Sequence, residues 1–496
     1  MFLLVVGVAA ATPAVGAAAK TDTLRVAVST LPLQQANPFT SSLMPTITTT
    51  GAIFDSLTKY SRAGRVEPWL AVAWENVDTK TWRFKLRPNV SFSNGAPLTA
   101  AAVAATAEYF IARARPTENI VRELPRLAAA RVVDPLTVEI VTAEPMPLFP
   151  RYATMFLVPD MKALDALGIE AFAKQPVGTG PYRLDRWAPG RASFSAFAGS
   201  WRAPKMPKLE IVALPETTAR MQAVLSDQID IATFLGPEEY EALKAAGHQA
   251  VAVADDTVNG IALVTNREGS PFKDVRVRRA LNHAVNRPPM LEAIFAGLAK
   301  PANQPATRGE FGYNPDLPQY DYDPAKAKAM LAEAGYAEGF RFTMETTSIS
   351  NVQLAYVQQV AADLAKIGVT MDIRPIAAPQ YLKNLFMTGE YAEAFTMPWT
   401  GVPVGDILRG IEMHSCAHNV PWTCDPGIMP LIERIKNEWD EPTSEKLRRE
   451  LMAYYHAEAP AIFVYESVTF AGVRKGVTGY EDMFGFIPFE RIVIGP

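Results

Sequence analysis

The sequence predicts an α/β protein. Three observations carry this. Strand-like and helix-like segments alternate along the whole chain. Forty prolines against 30 glycines supply stiff, short connections between them. No internal repeat, low-complexity tract or long linker interrupts the alternation. With 496 residues there is length for roughly three domains at ordinary sizes. Composition alone does not mark where they divide.

The elements follow in order. Residues 2–11 are apolar, and after Thr12 and Pro13 comes the small-residue stretch Gly16, Ala17, Ala18, Ala19. A run of about ten apolar residues is too short for a bilayer but suits the hydrophobic region of an export signal. Residues 1–19 therefore read as a cleaved signal peptide, with Lys20 starting the mature chain. No Lys or Arg lies between Met1 and the run, so the translation start is expected upstream. A lysine rather than a cysteine after the cleavage point speaks against a lipid anchor there.

Residues 24–28 (LRVAV) read as a short strand, and residues 82–86 (WRFKL) alternate as a half-buried strand does. Residues 100–114 are alanine-rich and helical, with Thr99 as N-cap. Residues 132–141 read as a hairpin turning at Asp134-Pro135, and residues 182–197 as one turning at Pro189-Gly190. Residues 209–214, a helix over 218–227 and residues 229–232 form a strand–helix–strand unit. Asp323-Pro324 opens a helix that Gly335 closes. Residues 351–367 carry Leu354, Val357, Val360, Ala361, Leu364 and Ile367 on one helical face. Gly368 ends that helix before a strand over 369–373. Helices over 428–439 and 444–458 and a strand over 461–465 complete the series.

Charge and motifs exclude several classes of function. A formal net charge of −4, from 48 basic and 52 acidic residues, lacks the basic excess that nucleic-acid binding uses to displace counterions. No later apolar run reaches the length of a membrane span, so no stable membrane insertion is expected. The five histidines, His248, His283, His414, His418 and His456, sit in no catalytic motif. No GxSxG, HExxH or GxxxxGK[ST] pattern occurs. The chain is expected to be no enzyme and to carry no cofactor. The two cysteines, Cys416 and Cys424, read in an exported protein as a disulfide closing a short loop.

Four separated blocks resemble the extracellular solute-binding proteins of family 5, which serve peptide and nickel ABC importers. The first is FDSLTKY at 54–60 with VEPWLAVAWENVDTKTWRFKLRPNVSFSNGAPLTAAAV at 66–103. The second is VGTGPY at 177–182, followed by Trp187 and Trp201-Arg202. The third is SPFKDVRVRRALNHAVNR at 270–287 with Gly297, and the fourth is Tyr322-Asp323-Pro324 with AKAKAMLAEAGY. They lie in family order. The resemblance implies a periplasmic-binding-protein-like fold of type II (class or cluster C). Two lobes joined by hinge strands close over a ligand, and the first lobe carries an extra domain. On that pattern the signal peptide is 1–19, and the main lobe 20–50, 177–263 and 470–496. The extra domain is 51–176, and the second lobe 264–469. The function implied is that of a periplasmic, monomeric receptor that hands a small solute to an ABC permease.

Residues 397–424, MPWTGVPVGDILRGIEMHSCAHNVPWTC, resemble dipeptide-binding members, with Trp399-Thr400-Gly401, Cys416, Asn419 and Cys424 in matching places. In those members an aspartate after Trp-Thr-Gly holds the peptide ammonium; here that residue is Val402. They also use an arginine near the loop before the long helix to hold the carboxylate, and residues 346–350 contain none. A buried charge without its partner costs several kcal/mol. The expected ligand is therefore not an ordinary dipeptide. Candidate ligand-binding residues are Ser41, Ser42, Met44, Thr347, Ser350, Trp399, Thr400, Gly401 and Val402. Asp406 is a displaced anchor or, as an aspartate in a loop, a cap. For Trp399 a core position competes with a ligand-facing one. His414, Cys416, His418 and Cys424 are spaced as a metal site is, so a metal chelate held by His414 or His418 is the alternative to the disulfide. A peptide receptor or chaperone of the same fold is a further reading. The arginines Arg276, Arg278 and Arg279 read as a solvated helix face or as a permease-docking face.

Overall fold

The structure is a computed structural model and describes residues 22–40, 44–61, 63–112, 118–347 and 351–495. The signal-peptide expectation for residues 1–19 lies outside the described residues, as do Ser41, Ser42 and Ser350. The core is an 11-stranded mixed sheet. Its order is Val369–Ile376, Phe340–Thr347, Ala394–Thr400, Gln249–Leu263, Ala461–Val473, Ile231–Leu235, Thr23–Val28, Lys208–Ala213, Arg191–Ala196, Tyr182–Ala188. Lys300–Pro301 adds to Ala461–Val473 off this path.

Parallel pairs stand where the sequence alternates strand and helix, because a parallel neighbour needs a long crossover. Phe340–Thr347 and Val369–Ile376 pair in parallel across the helix Asn351–Ala365. Lys208–Ala213 and Ile231–Leu235, joined through the helix Thr217–Leu225, are not neighbours. Thr23–Val28 lies between them, parallel to both. Its buried Val26, Ala27 and Val28 fit a strand covered on both faces. Both expected hairpins form, Leu127–Asp134 with Thr137–Thr142 and Tyr182–Ala188 with Arg191–Ala196.

Two long antiparallel strands, Gln249–Leu263 and Ala461–Val473, carry the sheet from one half to the other. Residues 249–254 pair with residues 468–473, whose other neighbour is Ile231–Leu235 in the first half. Residues 257–263 pair with Ala394–Thr400 in the second half. Between these stretches the register shifts, at Ala254/Val258 and again at Asn259/Gly260. Such bulges bend a strand and increase its twist. Asp255 and Asp256 sit in the first shift.

Outside that sheet, Ala71–Asp78, Thr81–Leu86, Thr137–Thr142 and Leu127–Asp134 form a four-stranded antiparallel sheet. The helix Ala100–Ile111 packs on it, capped by Thr99, whose side chain accepts from Ala102 N at 3.4 Å. It spans Ala100–Ile111 with Ala112 as its C-cap, and the expected end at residue 114 lies outside the described residues. One apolar cluster joins this sheet, through Phe84, Val138 and Ile140, to the first half of the main sheet through Leu24, Val26 and Ile211. A second cluster, with Phe272, Leu281, Tyr356, Val360 and Ile462, fills the other half.

The helix Val275–Ala284 corrects one expectation. Arg278 is no part of a solvated face, since only 7% of its side chain is exposed. It donates to the carbonyls of Phe272, Lys273 and Glu458 and to the Glu458 carboxylate at 2.7 Å. Carbonyls at the end of the helix Glu441–Glu458 have no partner within their own helix, and a guanidinium fork answers several groups at once. Arg276 remains exposed and pairs with Asp274 at 2.6 Å.

Candidate functional site

Residues 401–406 form a loop directly after the strand Ala394–Thr400, and its backbone is tied to the bending strand. Gly401 N donates to Asp256 O at 3.0 Å. Val404 N and Gly405 N both donate to Gly401 O at 2.8 Å, folding the loop into a tight turn with a cis Val402–Pro403 peptide. Gly401 is required for packing: a Cβ there would lie 2.2 Å from Glu310 Oε1. Gly405, at φ +60°, is in the left-handed region. Thr400 Oγ1 accepts from Val402 N at 3.2 Å, which uses this expected ligand-contacting hydroxyl to shape the loop.

The opposing lobe meets the loop through two side chains. Tyr60, on the strand Thr58–Tyr60, donates its hydroxyl to Val404 O. Burial pushes its phenol above the ordinary value, so it stays a donor. Arg151, on the short helix Phe149–Tyr152, donates to Gly405 O at 3.2 Å and Gly64 O at 3.3 Å. Its guanidinium lies over Phe311, 4.6 Å from the ring centroid.

Between these contacts lies a cavity of about 90 Å³. Ile47, Thr50, Gly51 and Phe54 line it from the first lobe, and Lys59, Tyr60, Met155 and Leu157 beside them. Val402 and Pro403 close it from the second lobe, and Met483, Phe484 and Phe486 from the C-terminal segment. Its largely apolar walls, met by a few polar groups, suit a small-molecule site. Sequence reasoning found only Val402 of these. Lys59, Tyr60, Phe484 and Phe486 converge from positions more than 300 residues apart. The aromatic density of residues 480–489 (YEDMFGFIPF) was the signal available.

Behind the loop are two buried carboxyl groups. Thr307 bridges them: its hydroxyl donates to Asp256 Oδ1 at 3.2 Å and its backbone N–H to Glu310 Oε2 at 2.6 Å. Burial, reinforced by neighbouring Asp255, pushes Asp256 up to about 7. Burial and then the charge of Asp256 raise Glu310 well above the carboxylate range.

The structure places the other expected residues differently. Asp406 is the N-cap of the helix Ile407–Met413, accepting from Leu408 N at 3.4 Å. Its two oxygens receive Arg448 Nε at 2.7 Å and Nη2 at 3.0 Å. Nothing of that carboxylate is left to anchor a ligand, and the cap is the reading the geometry favours over the displaced anchor. Trp399 is 1% exposed, stacked on His414 at 4.1 Å and edge-on to Phe463 at 5.4 Å. It is a core side chain, because the strand Ala394–Thr400 turns this face toward an apolar cluster with Trp422. Thr347 is buried at the end of the strand Phe340–Thr347. Met44 begins the helix Met44–Thr50, whose Ile47 and Thr50 line the cavity.

Cys416 and Cys424 are joined by a disulfide, so the two sulfurs are not free thiolates for a metal. His414 lies between Trp399 and Trp422, and burial holds its imidazole uncharged, well below its ordinary pKa. His418 Nδ1 accepts from Val420 N at 3.2 Å. Among the described residues no group of three or more His, Cys, Asp or Glu is placed to hold a metal ion. The histidine–cysteine spacing is thus a disulfide loop packed on aromatic rings, and the two sulfurs are not available to a metal.

Comparison with known proteins adds the following. A family model described as "Bacterial extracellular solute-binding proteins, family 5 Middle" matches residues 65–407. The glutathione-binding protein GsiB of Salmonella typhimurium is 31% identical over 336 residues. That match takes in 65% of this chain and 64% of the relative, so just under two thirds of the relative's length is spanned. The dipeptide-binding protein of Escherichia coli (strain K12) is 26% identical over 502 residues, covering 91% of this chain and 92% of that one. Among solved structures, the ABC transporter substrate-binding protein CtaP of Listeria monocytogenes superposes with a TM-score of 0.85 at 19% identity, over 96% of this chain and 100% of that one. At that identity the likeness speaks for the fold.

Proposed function

The chain belongs to family 5 of the bacterial extracellular solute-binding proteins, and on that footing we propose that it is the substrate-binding component of an ABC importer. It captures one small solute between its lobes and delivers it to a membrane permease. The carrying observation is the cavity, with walls from both lobes, together with the two strands that, among the described residues, carry the sheet across. Rotation at the register shifts around Asp255 and Asp256 would open and close it. The lobes are taken as 20–50, 177–263 and 470–496 against 264–469, with the extra domain at 51–176. Export through residues 1–19, a periplasmic location, a monomeric state and the absence of any catalytic step complete the proposal.

The ligand is not an ordinary dipeptide. Val402 occupies the wall position where dipeptide-binding members are expected to carry an aspartate, and among the described residues no carboxylate side chain lines the cavity. Asp406, the nearest alternative in sequence, is fully engaged by Arg448. A buried ammonium at this place would go unpaired, at a cost of several kcal/mol. The relatives' printed ligands, glutathione and dipeptides, favour a ligand of similar bulk with differently placed charge. Calorimetric titration with a panel of unmodified dipeptides tests this. Heats consistent with general submicromolar binding refute the exclusion, and no heat up to millimolar peptide supports it.

A further inference from the structure

The polar groups lining the cavity point to the charge of its occupant. Four hydroxyl side chains face it, and each already donates its hydrogen to a backbone carbonyl. Thr50 donates to Thr46 at 2.8 Å, Ser56 to Thr58 at 2.6 Å, Thr154 to Arg151 at 2.7 Å, and Tyr60 to Val404. The remaining polar side chain in the lining is Lys59. Its side chain is 13% exposed and its ammonium makes no hydrogen bond to any described residue. Glu67 pairs with it at 3.8 Å, an ion pair without a hydrogen bond, and 42% of the Glu67 side chain is in solvent. The face of Trp69 supports the ammonium at 4.4 Å from its centroid. The nearby guanidinium of Arg202 is already engaged by Asp55, Glu490 and Gly51 O.

Among the described residues the cavity wall thus offers one cation whose hydrogen-bond donors are free, no side-chain anion, and otherwise apolar surface. Held by Glu67 only at ion-pair distance, that ammonium keeps its donors for an anion brought in by a ligand. Resting on the reading of this cavity as the ligand site, we propose that the ligand is an apolar molecule bearing a single anionic group. Its carboxylate, sulfonate or phosphate is received by Lys59, and its body by Phe54, Val402, Phe484 and Phe486. Solutes with an ammonium are excluded because no lining side chain can neutralise one.

Two fluorescent probes of matched shape test this. 8-Anilinonaphthalene-1-sulfonate is apolar with one anionic group, and N-phenyl-1-naphthylamine is its uncharged counterpart. The expected result is that the native protein binds the sulfonate about tenfold more tightly or better. Lys59→Met abolishes that preference while leaving the uncharged probe unaffected, and Lys59→Arg keeps it. Val402→Asp, which adds an anion to the wall, weakens the sulfonate probe by about tenfold, providing a second variant if Lys59→Met fails to fold. Equal affinity for both probes in the native protein, or a preference unchanged by both Lys59→Met and Val402→Asp, overturns the proposal. Scattering on the same samples separates the two failures. If some other solute contracts the molecule while Lys59 has no effect, the anionic ligand class falls and the receptor function stands. If no solute contracts it, the receptor function itself falls.

Discussion

Removing the Asp406 carboxylate should destabilise the fold without removing a side chain that lines the cavity. The pair Asp406–Arg448 is buried, with 7% and 1% of the two side chains exposed. Its geometry is a fork: Nε to Oδ1 at 2.7 Å and Nη2 to Oδ2 at 3.0 Å. Taking away one member of such a pair leaves the other charge buried, which costs about 3–5 kcal/mol. Loss of the N-cap to Leu408 N adds about 1 kcal/mol. Asp406→Ala should therefore lower the unfolding free energy by about 4–6 kcal/mol. The double variant Asp406→Ala with Arg448→Met should recover part of the loss, because no unpaired guanidinium remains. Urea denaturation followed by tryptophan fluorescence measures both, since Trp399 and Trp422 pack in the adjacent cluster. A single variant as stable as the native protein but defective in ligand binding would refute this reasoning and return Asp406 to the role of ligand anchor.

Three further outcomes follow from the same geometry. Burial raises the folded pKa of Asp256 to about 7, well above the ordinary carboxylate value, so the folded state holds its proton more tightly and stability falls as pH rises between those values. Asp256→Asn should consequently stabilise the protein at pH 8, by on the order of 4 kcal/mol, and have little effect at pH 4; the reverse order in thermal melts would contradict this. Replacing Cys416 and Cys424 by alanine opens a loop of sequence separation 8 and should cost about 2.5 kcal/mol by loop entropy, with ligand affinity unchanged in calorimetry. Gly401→Ala places a Cβ against Glu310 Oε1 and the Asp406 backbone, so it should lower the melting temperature and weaken ligand binding together.

How much of this was readable from the chain depended on locality. The helix Asn351–Ala365 is legible because its apolar residues repeat at helical spacing, and the hairpins because Pro189-Gly190 and Asp134-Pro135 mark their turns. The strand Gln249–Leu263 is not, because Asp255-Asp256 and Asn259-Gly260 break its apolar pattern where it must bend. Those same breaks are where the proposed hinge falls. Ala461–Val473 runs eight residues beyond the expected end at Tyr465, carried by pairing with that hidden partner. The burial of Arg278 was unreadable, since the carbonyls it satisfies belong partly to Glu458, 180 residues away. The loss of the ammonium anchor at Val402 was visible in the sequence, whereas Lys59 takes on meaning only when the folded chain brings Phe484 and Phe486 beside it.

Small-angle scattering, with and without the solute that native mass spectrometry finds in freshly purified protein, bears most directly on the account. A radius of gyration that shrinks on adding the solute, with a matching rise in melting temperature, is the predicted result. An unchanged radius and an unchanged melting temperature with that solute would contradict a receptor that shuts by bending at Asp255 and Asp256.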